Sequence, residues 1–336
     1  MGDSLNILIA GSVESCSTNE EQQIAECLLV ELANQGHSVD MFMLPYEPDT
    51  QGLPEQIAAL HLLRIESVDL LITVGYPAMF LPYHKKSTYL LKTASMLYEY
   101  WDTQYGTLYN PSFFRIKEAI INAEKHSLHQ TQMVTCGSQL LQEDLQSRHG
   151  IESTVSYYQP PSNNKQPNSF AKNSYVVTES DLSPHFRMEF IVDIVKVSKG
   201  AWNLKWYVPR TQIAYKEAVE EMLCRFNLNE RVQMHYETCP SSVIKDALAY
   251  VTVPFMVRKI PSSFMLALEH GVPIVVPDDA GAILELSDAQ DVHVLQPDCF
   301  AFAKCLDNIS PKSKALAHPI VNKTISIENL ARRLVQ

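Results

Sequence analysis

Glycine, positive charge and long apolar runs are all scarce in this sequence, and each scarcity excludes something. Only 11 of the 336 residues are glycine. The loop after the first predicted strand, Gly11-Ser12-Val13-Glu14-Ser15, has a single one and fits neither G-x-G-x-x-G nor the P-loop, which weakens dehydrogenase and nucleoside-triphosphatase readings. Lysine and arginine total 27 against 38 acidic residues, a net charge of -11. The chain therefore has no global attraction for nucleic acid or anionic lipid, and no nucleic-acid partner is expected. Seven cysteines, at 16, 27, 136, 224, 239, 299 and 305, include no C-x-x-C pair, and the odd number leaves one unmatched in any disulfide scheme. A reduced, cytoplasmic chain is expected. No apolar run approaches the length that spans a bilayer, and Met1-Gly2-Asp3-Ser4-Leu5-Asn6 lacks a basic start and a long apolar stretch, so neither a secretory signal nor a transmembrane anchor is expected.

What is present is an ordinary globular composition, 46% hydrophobic and 19% charged with a mean hydropathy of -0.10. That excludes disordered, collagen-like and coiled-coil chains. At roughly 100–200 residues per domain the length suggests two domains.

The residue pattern alternates between the strand and helix periods. Asn6 to Ala10 is an apolar run that stops at Gly11-Ser12; Thr18 and Glu21 then form a capping-box pattern, and Ile24, Cys27, Leu28 and Leu32 share one helical face that ends at Gly36. Further strands are predicted over 38–44, 68–74, 87–91 and 133–136, with helices from about Pro54, Pro111 and Ser138. Residues 159–173, rich in proline and asparagine, read as a linker. Beyond it strands are predicted over 175–178, 203–208, 231–235, 249–253 and 272–276, with helices from about Pro184, over 213–226, 241–248 and 262–270, and near Gly281. The alternation predicts an α/β fold with parallel sheets covered on both faces, divided as domains 1–160 and 174–310, linker 161–173 and tail 311–336. In such sheets ligands sit beyond the carboxyl ends of the strands, and two such domains facing one another would enclose a cleft there.

Several segments carry candidate chemistry beside a bland alternative. Gly75-Tyr76-Pro77-Ala78 is a turn whose glycine permits close backbone approach, or a plain turn. Pro277-Asp278-Asp279-Ala280-Gly281 could present backbone N–H groups to phosphate, or Gly281 could merely close the turn; the adjacent aspartates point apart and make a poor metal pair. His126 and His129 with Glu124 nearby have a partial zinc spacing without third and fourth ligands, so no metal is expected. The serines at 241–242 and 262–263 are placed as helix caps. His84-Lys85-Lys86 is basic and could meet a phosphate or a membrane surface, although a solvated loop is the simpler account.

Several of these segments, in order, resemble family-four glycosyltransferases of the GT-B architecture, in which two Rossmann-like domains face each other across a cleft. The resemblance runs through Val68 to Ala78, Tyr89-Leu90-Leu91, Tyr98 to Tyr105, Arg115, Cys136-Gly137-Ser138 and Gly150 to Val155, then Leu182 to Arg187, His270 to Val275, and Ala280-Gly281 with Glu285. It implies a retaining, metal-independent transfer of a sugar from a nucleotide-sugar donor to a glycan, lipid-linked or protein acceptor, with the nucleotide-sugar as substrate and no cofactor. It also implies a donor or diphosphate site of Arg187, Arg258, Lys259, Ala280, Gly281 and Glu285, and an acceptor side of Gly11, Ser12, Gly75, Tyr76, Lys92, Trp101, Asp102 and Tyr105.

The sequence departs from the family pattern at its charged positions. Asp181 stands where the family has arginine, Phe186 where it has lysine, Arg258 and Leu266 where it has paired glutamates, and Lys92-Thr93-Ala94-Ser95 where it has a histidine-bearing loop. An acid beside a leaving diphosphate opposes the developing charge, and losing one well-placed donor typically costs about 2.7–4 kcal/mol of transition-state stabilisation. Three readings follow. The first is an active transferase with an altered donor site. The second is a catalytically degenerate scaffold that binds or stabilises an active glycosyltransferase, or pairs with itself; the third is a sugar-nucleotide epimerase. Residues 327–334 are expected to form a helix that packs on the first domain or lies on a membrane, which would place the chain peripherally at the inner face.

Overall fold

The structure, a computed structural model, describes residues 4–14, 20–46, 52–94, 103, 111–158, 174–182, 184–209, 213–289, 291–309 and 324–335. The chain divides into two units, residues 1–159 with 323–336, and residues 160–322.

In the first unit, strands β1 (Asn6–Glu14), β2 (Ser38–Tyr46), β3 (Leu70–Val74), β4 (Lys86–Leu90), β5 (Met133–Cys136) and β6 (Thr154–Val155) form one parallel sheet in the order β2-β1-β3-β4-β5-β6. Helices α1 (Glu20–Asn34), α2 (Leu53–Leu62), α3 (Pro111–His129) and α4 (Gln139–His149) make crossovers. Every residue of β3 and β4 is buried, as expected where helices cover both faces. Ser138 caps α4 by accepting from the Leu141 N–H, and Gly150 ends it in the left-handed conformation.

Two sequence expectations are corrected here. β1 does not stop at Gly11-Ser12: Gly11 pairs with Met43 and Val74, and Ser12 with Leu44. The glycine makes room inside the strand for the end of the Met43 side chain, whose Sδ and Cε would lie 2.6 Å from a Cβ there. Lys86, read as part of a solvated loop, opens β4 and is only 1% exposed. Its ammonium donates to Met79 O (2.8 Å), Leu81 O (3.1 Å) and Ser127 Oγ (2.9 Å), so the buried charge keeps three hydrogen-bond acceptors.

The short strand β7 (Tyr157–Tyr158) closes this segment of chain and pairs with β14 (Thr324–Ile325), from the far end of the sequence.

The second unit holds β8 (Tyr175–Glu179), β9 (Asn203–Tyr207), β10 (Val232–His235), β11 (Ala249–Val251), β12 (Ile274–Pro277) and β13 (Val292–Leu295), parallel throughout and ordered β10-β9-β8-β11-β12-β13. Its helices are α5 (Met188–Val197), α6 (Ile213–Arg225), α7 (Ser241–Asp246), α8 (Ser262–Glu269) and α9 (Cys299–Asn308). The sequence pattern carries the alternation only to the turn near Gly281; β13 and α9 extend it. Trp206 is fully buried, its indole N–H donating to Ser180 Oγ at 2.9 Å. At the amino edge of this sheet the Asp307 carboxylate accepts from Ser198 Oγ (2.6 Å), Lys199 N (2.9 Å) and Trp202 Nε1 (2.8 Å), tying α9 to the entry of β9. The last helix, α10 (Ile327–Val335), belongs to the first unit and buries Leu330, Ala331 and Leu334 against α1 and β4.

Candidate functional site

Both sheets reverse their winding once. In the first the switch lies between β1 and β3, and in the second between β8 and β11. At such a point the loops leave the carboxyl ends of adjacent strands in opposite directions and open a crevice. The second unit concentrates its candidate residues there.

Three segments meet beyond β8, β11 and β12. Residues 255–258 run beside 279–282, with Met256 N–H donating to Asp279 O (2.8 Å), Ala282 N–H to Val257 O (2.7 Å), and a parallel bridge between Val257 and Gly281. Phe255 N–H donates to His185 O (2.8 Å), which ties in the loop after β8. Three backbones in this cluster have positive φ: Arg187 at 49°, Met256 at 47° and Gly281 at 75°. Only glycine takes such angles cheaply; for the other two the left-handed region costs roughly 1–2 kcal/mol each. At Gly281 a Cβ would also lie 2.4 Å from Val257 O, so no other residue fits. Backbone strain of this kind clusters at ligand clamps, active sites and switch regions.

Arg187 caps α5, and its guanidinium makes a two-pronged contact with Asp279, Nη1 to Oδ1 at 2.8 Å and Nη2 to Oδ2 at 2.5 Å. The same guanidinium carbon stands 5.2 Å from the centre of the Phe255 ring. The adjacent aspartates do point apart: Asp278 is exposed while Asp279 turns to Arg187. Arg258 is buried and folds back to donate from Nη1 to Met256 O at 2.9 Å. Lys259 and Glu285 are half-buried nearby in sequence, the latter in the 3-10 turn 282–286. Burial holds the His185 imidazole down at about 4, so it is neutral at pH 7. The backbone groups at 280–282 behave differently from the sequence expectation of a phosphate-binding turn. The Ala280 N–H donates to Pro277 O (3.2 Å) and that of Ala282 to Val257 O, so both are consumed by the fold. Cationic side chains, rather than these two amides, are what the cluster offers an anion.

At the switch of the first unit, Ser12 is fully buried and its Oγ accepts from Ala78 N–H at 2.9 Å. Gly75 has φ 83° and leaves room for Glu21, whose Cγ would lie 2.3 Å from a Cβ at that position. Tyr76 is buried edge-on against Phe80 with ring centres 5.2 Å apart, and burial, then the Glu124 and Tyr46 charges, push its phenol well above the ordinary range. Lys92 donates to the Tyr46 hydroxyl at 3.1 Å. Gly11, Ser12, Gly75 and Tyr76 thus build the floor of this turn from inside. Trp101, Asp102 and Tyr105 lie outside the described residues.

Glu124 does not join His126 and His129. It is fully buried and pairs with His149 Nε2 at 3.2 Å, while His126 bonds Gln130 and His129 meets His149 O. Among the described residues no group of three or more histidine, cysteine or acidic side chains is placed to hold a metal ion. Sequence reasoning missed Asp279 as the partner of Arg187 and Phe255 beneath it. The available signal was that both fall after strands, far from Arg187 along the chain.

No protein-family model matches the sequence, and no curated protein matches it. Solved structures do match in three dimensions. Anabaena Alr3699/HepE in complex with UDP-glucose superimposes with a TM-score of 0.70 at 12% identity, over 98% of each chain. AviGT4, a glycosyltransferase involved in avilamycin A biosynthesis, matches at 0.57 and 14% identity over 98% of this chain and 96% of its own. A mutant of S. aureus TarM in complex with fondaparinux, alpha-GlcNAc-glycerol and UDP matches at 0.55 and 14% identity over 79% of this chain, which spans only 51% of the TarM chain. Two parallel six-stranded sheets in two α/β units, matched along nearly the whole of HepE, give this chain the GT-B fold.

Proposed function

We propose that the protein binds a nucleoside-diphosphate sugar through its second unit and transfers the sugar, with retention of configuration, to a glycan, lipid-linked or protein acceptor bound by the first. The observation that carries this reading is the strained cluster at the second switch point. Arg187 and Arg258 stand on loops stitched together by backbone hydrogen bonds, in a fold shared over 98% of the chain with a structure in complex with UDP-glucose. Breaking the sugar–phosphate bond leaves negative charge on the diphosphate, and fixed guanidinium groups stabilise that charge without a metal or cofactor. His185, neutral at pH 7, lends no positive charge of its own, so the arginines carry this stabilisation.

A second reading is favoured by the Arg187–Asp279 pair: a scaffold whose principal cation is already neutralised would serve as a binding partner of an active transferase rather than as a catalyst. No helix among the described residues is long and apolar enough to cross a membrane. A cytoplasmic location is part of the proposal; the apolar face of α10, the segment that would have met a membrane, is covered by the first unit.

Calorimetric titration of the full chain with UDP, UDP-glucose and other nucleotide sugars tests both readings. Saturable binding followed by release of the nucleoside diphosphate supports the transferase, and NMR of the product then reports the anomeric configuration. Binding without turnover, with acceptor extracts present, supports the partner reading; absence of binding removes the transferase and leaves the scaffold, which needs no nucleotide.

A further inference from the structure

We infer that Asp279 is a built-in competitor for the anion: its carboxylate occupies, on Arg187, the place that a ligand's phosphate would take, so that a diphosphate enters the second unit only by breaking this pair. The inference rests on the nucleotide-sugar reading and adds to it the residue that sets the affinity.

The geometry is that of substitution. A guanidinium fork offers two parallel N–H groups that fit a carboxylate or a phosphate equally well. Both prongs facing Asp279 are engaged, at 2.8 and 2.5 Å. The arginine is held by other means as well. Its backbone sits in the left-handed region at the start of α5, its N–H donates to Pro184 O at 2.9 Å, and its guanidinium lies over the Phe255 ring at 5.2 Å. Removing the carboxylate therefore leaves the cation in place. The aspartate backbone is likewise fixed, through its carbonyl and Met256 N–H.

The two side chains differ in access. That of Arg187 is 11% exposed and that of Asp279 is 31% exposed. The carboxylate stands on the solvent side of the pair and can turn into water, whereas the guanidinium cannot follow it without leaving its ring. A ligand phosphate approaching from solvent meets the carboxylate first. While the pair is closed the two like charges repel. Once it opens, the ligand inherits an oriented fork with Arg258 on the adjoining segment.

The test is titration of the full chain with UDP and with inorganic pyrophosphate at constant ionic strength. The proteins are wild type, Asp279→Ala, Asp279→Asn, Arg187→Gln and the double variant Asp279→Ala/Arg187→Gln, with the unfolding midpoint of each recorded. The expected result is that Asp279→Ala binds both ligands roughly tenfold more tightly than wild type, about 1.4 kcal/mol. Asp279→Asn should fall between them, and the gain should vanish in the double variant. Pyrophosphate should raise the midpoint of Asp279→Ala more than that of wild type. If wild type binds UDP and neither Asp279 variant binds it more tightly, the pair shapes the site and the inference is overturned while the nucleotide reading stands. A gain for pyrophosphate with UDP bound by no variant keeps the competitor and removes the nucleotide reading. Binding of neither ligand by any variant overturns both. Should Asp279→Ala not fold, Asp279→Asn against wild type decides the same question.

Discussion

Lys86 holds its ammonium among Met79 O, Leu81 O and Ser127 Oγ, and so fastens the turn after β3 to α3. Burial lowers its pKa from 10.5 to about 8. The unfolded chain therefore binds this proton more tightly than the folded one between about pH 8 and 10, and the contribution of Lys86 to stability rises with pH across that window. Below it the full cost of the buried charge, on the order of 3 kcal/mol, is present. The unfolding free energies of wild type and Lys86→Met should accordingly diverge in favour of wild type as pH rises from 8 to 10. Ionisation of the buried tyrosines is common to both proteins and cancels; a difference that is flat with pH contradicts the assignment. No sequence signal announced this lysine. It stands in a run with His84 and Lys85, and only the ladder that pairs Leu71 with Lys86 turns it inward while Lys85 stays exposed. Arg187 was legible as a cation after a strand, but its charge state was not, because Asp279 reaches it only through the fold.

Among the elements, α10 depends most on distant chain. It returns from beyond the second unit and covers α1 with Leu330, Ala331 and Leu334, while Arg333 Nη1 donates to Val155 O at 3.2 Å. Leu334 is fully buried, so Leu334→Ala should destabilise the first unit by about 2–5 kcal/mol. Hydrogen exchange should then show lost protection in β1 and β4 with β8 and β9 unchanged; equal loss in both sheets would mean that the helix does not belong to one unit. The amphipathic pattern of 327–334 made the helix readable, and left open whether protein or membrane covers its apolar face. β3, β8 and β12 were readable for a simpler reason, since short apolar runs bounded by turn residues are what fully buried parallel strands require. β1 was cut short in the sequence reading because a lone glycine looks like an end, whereas here it makes room for Met43.

For the whole molecule, the alternation of strand and helix on either side of 159–173 conveyed two α/β units, but not the strand orders that place one switch between β1 and β3 and the other between β8 and β11. Order depends on which crossovers run forward and which back, and local residue periods do not record that. On the proposed function, a nucleoside diphosphate binds at the switch point of the second unit. Hydrogen–deuterium exchange of the full chain with and without saturating UDP measures this directly. Added protection is expected in 181–187, 255–258 and 279–283. Protection confined to the turn after β3 in the first unit, or no change at these three segments with UDP bound, would contradict it.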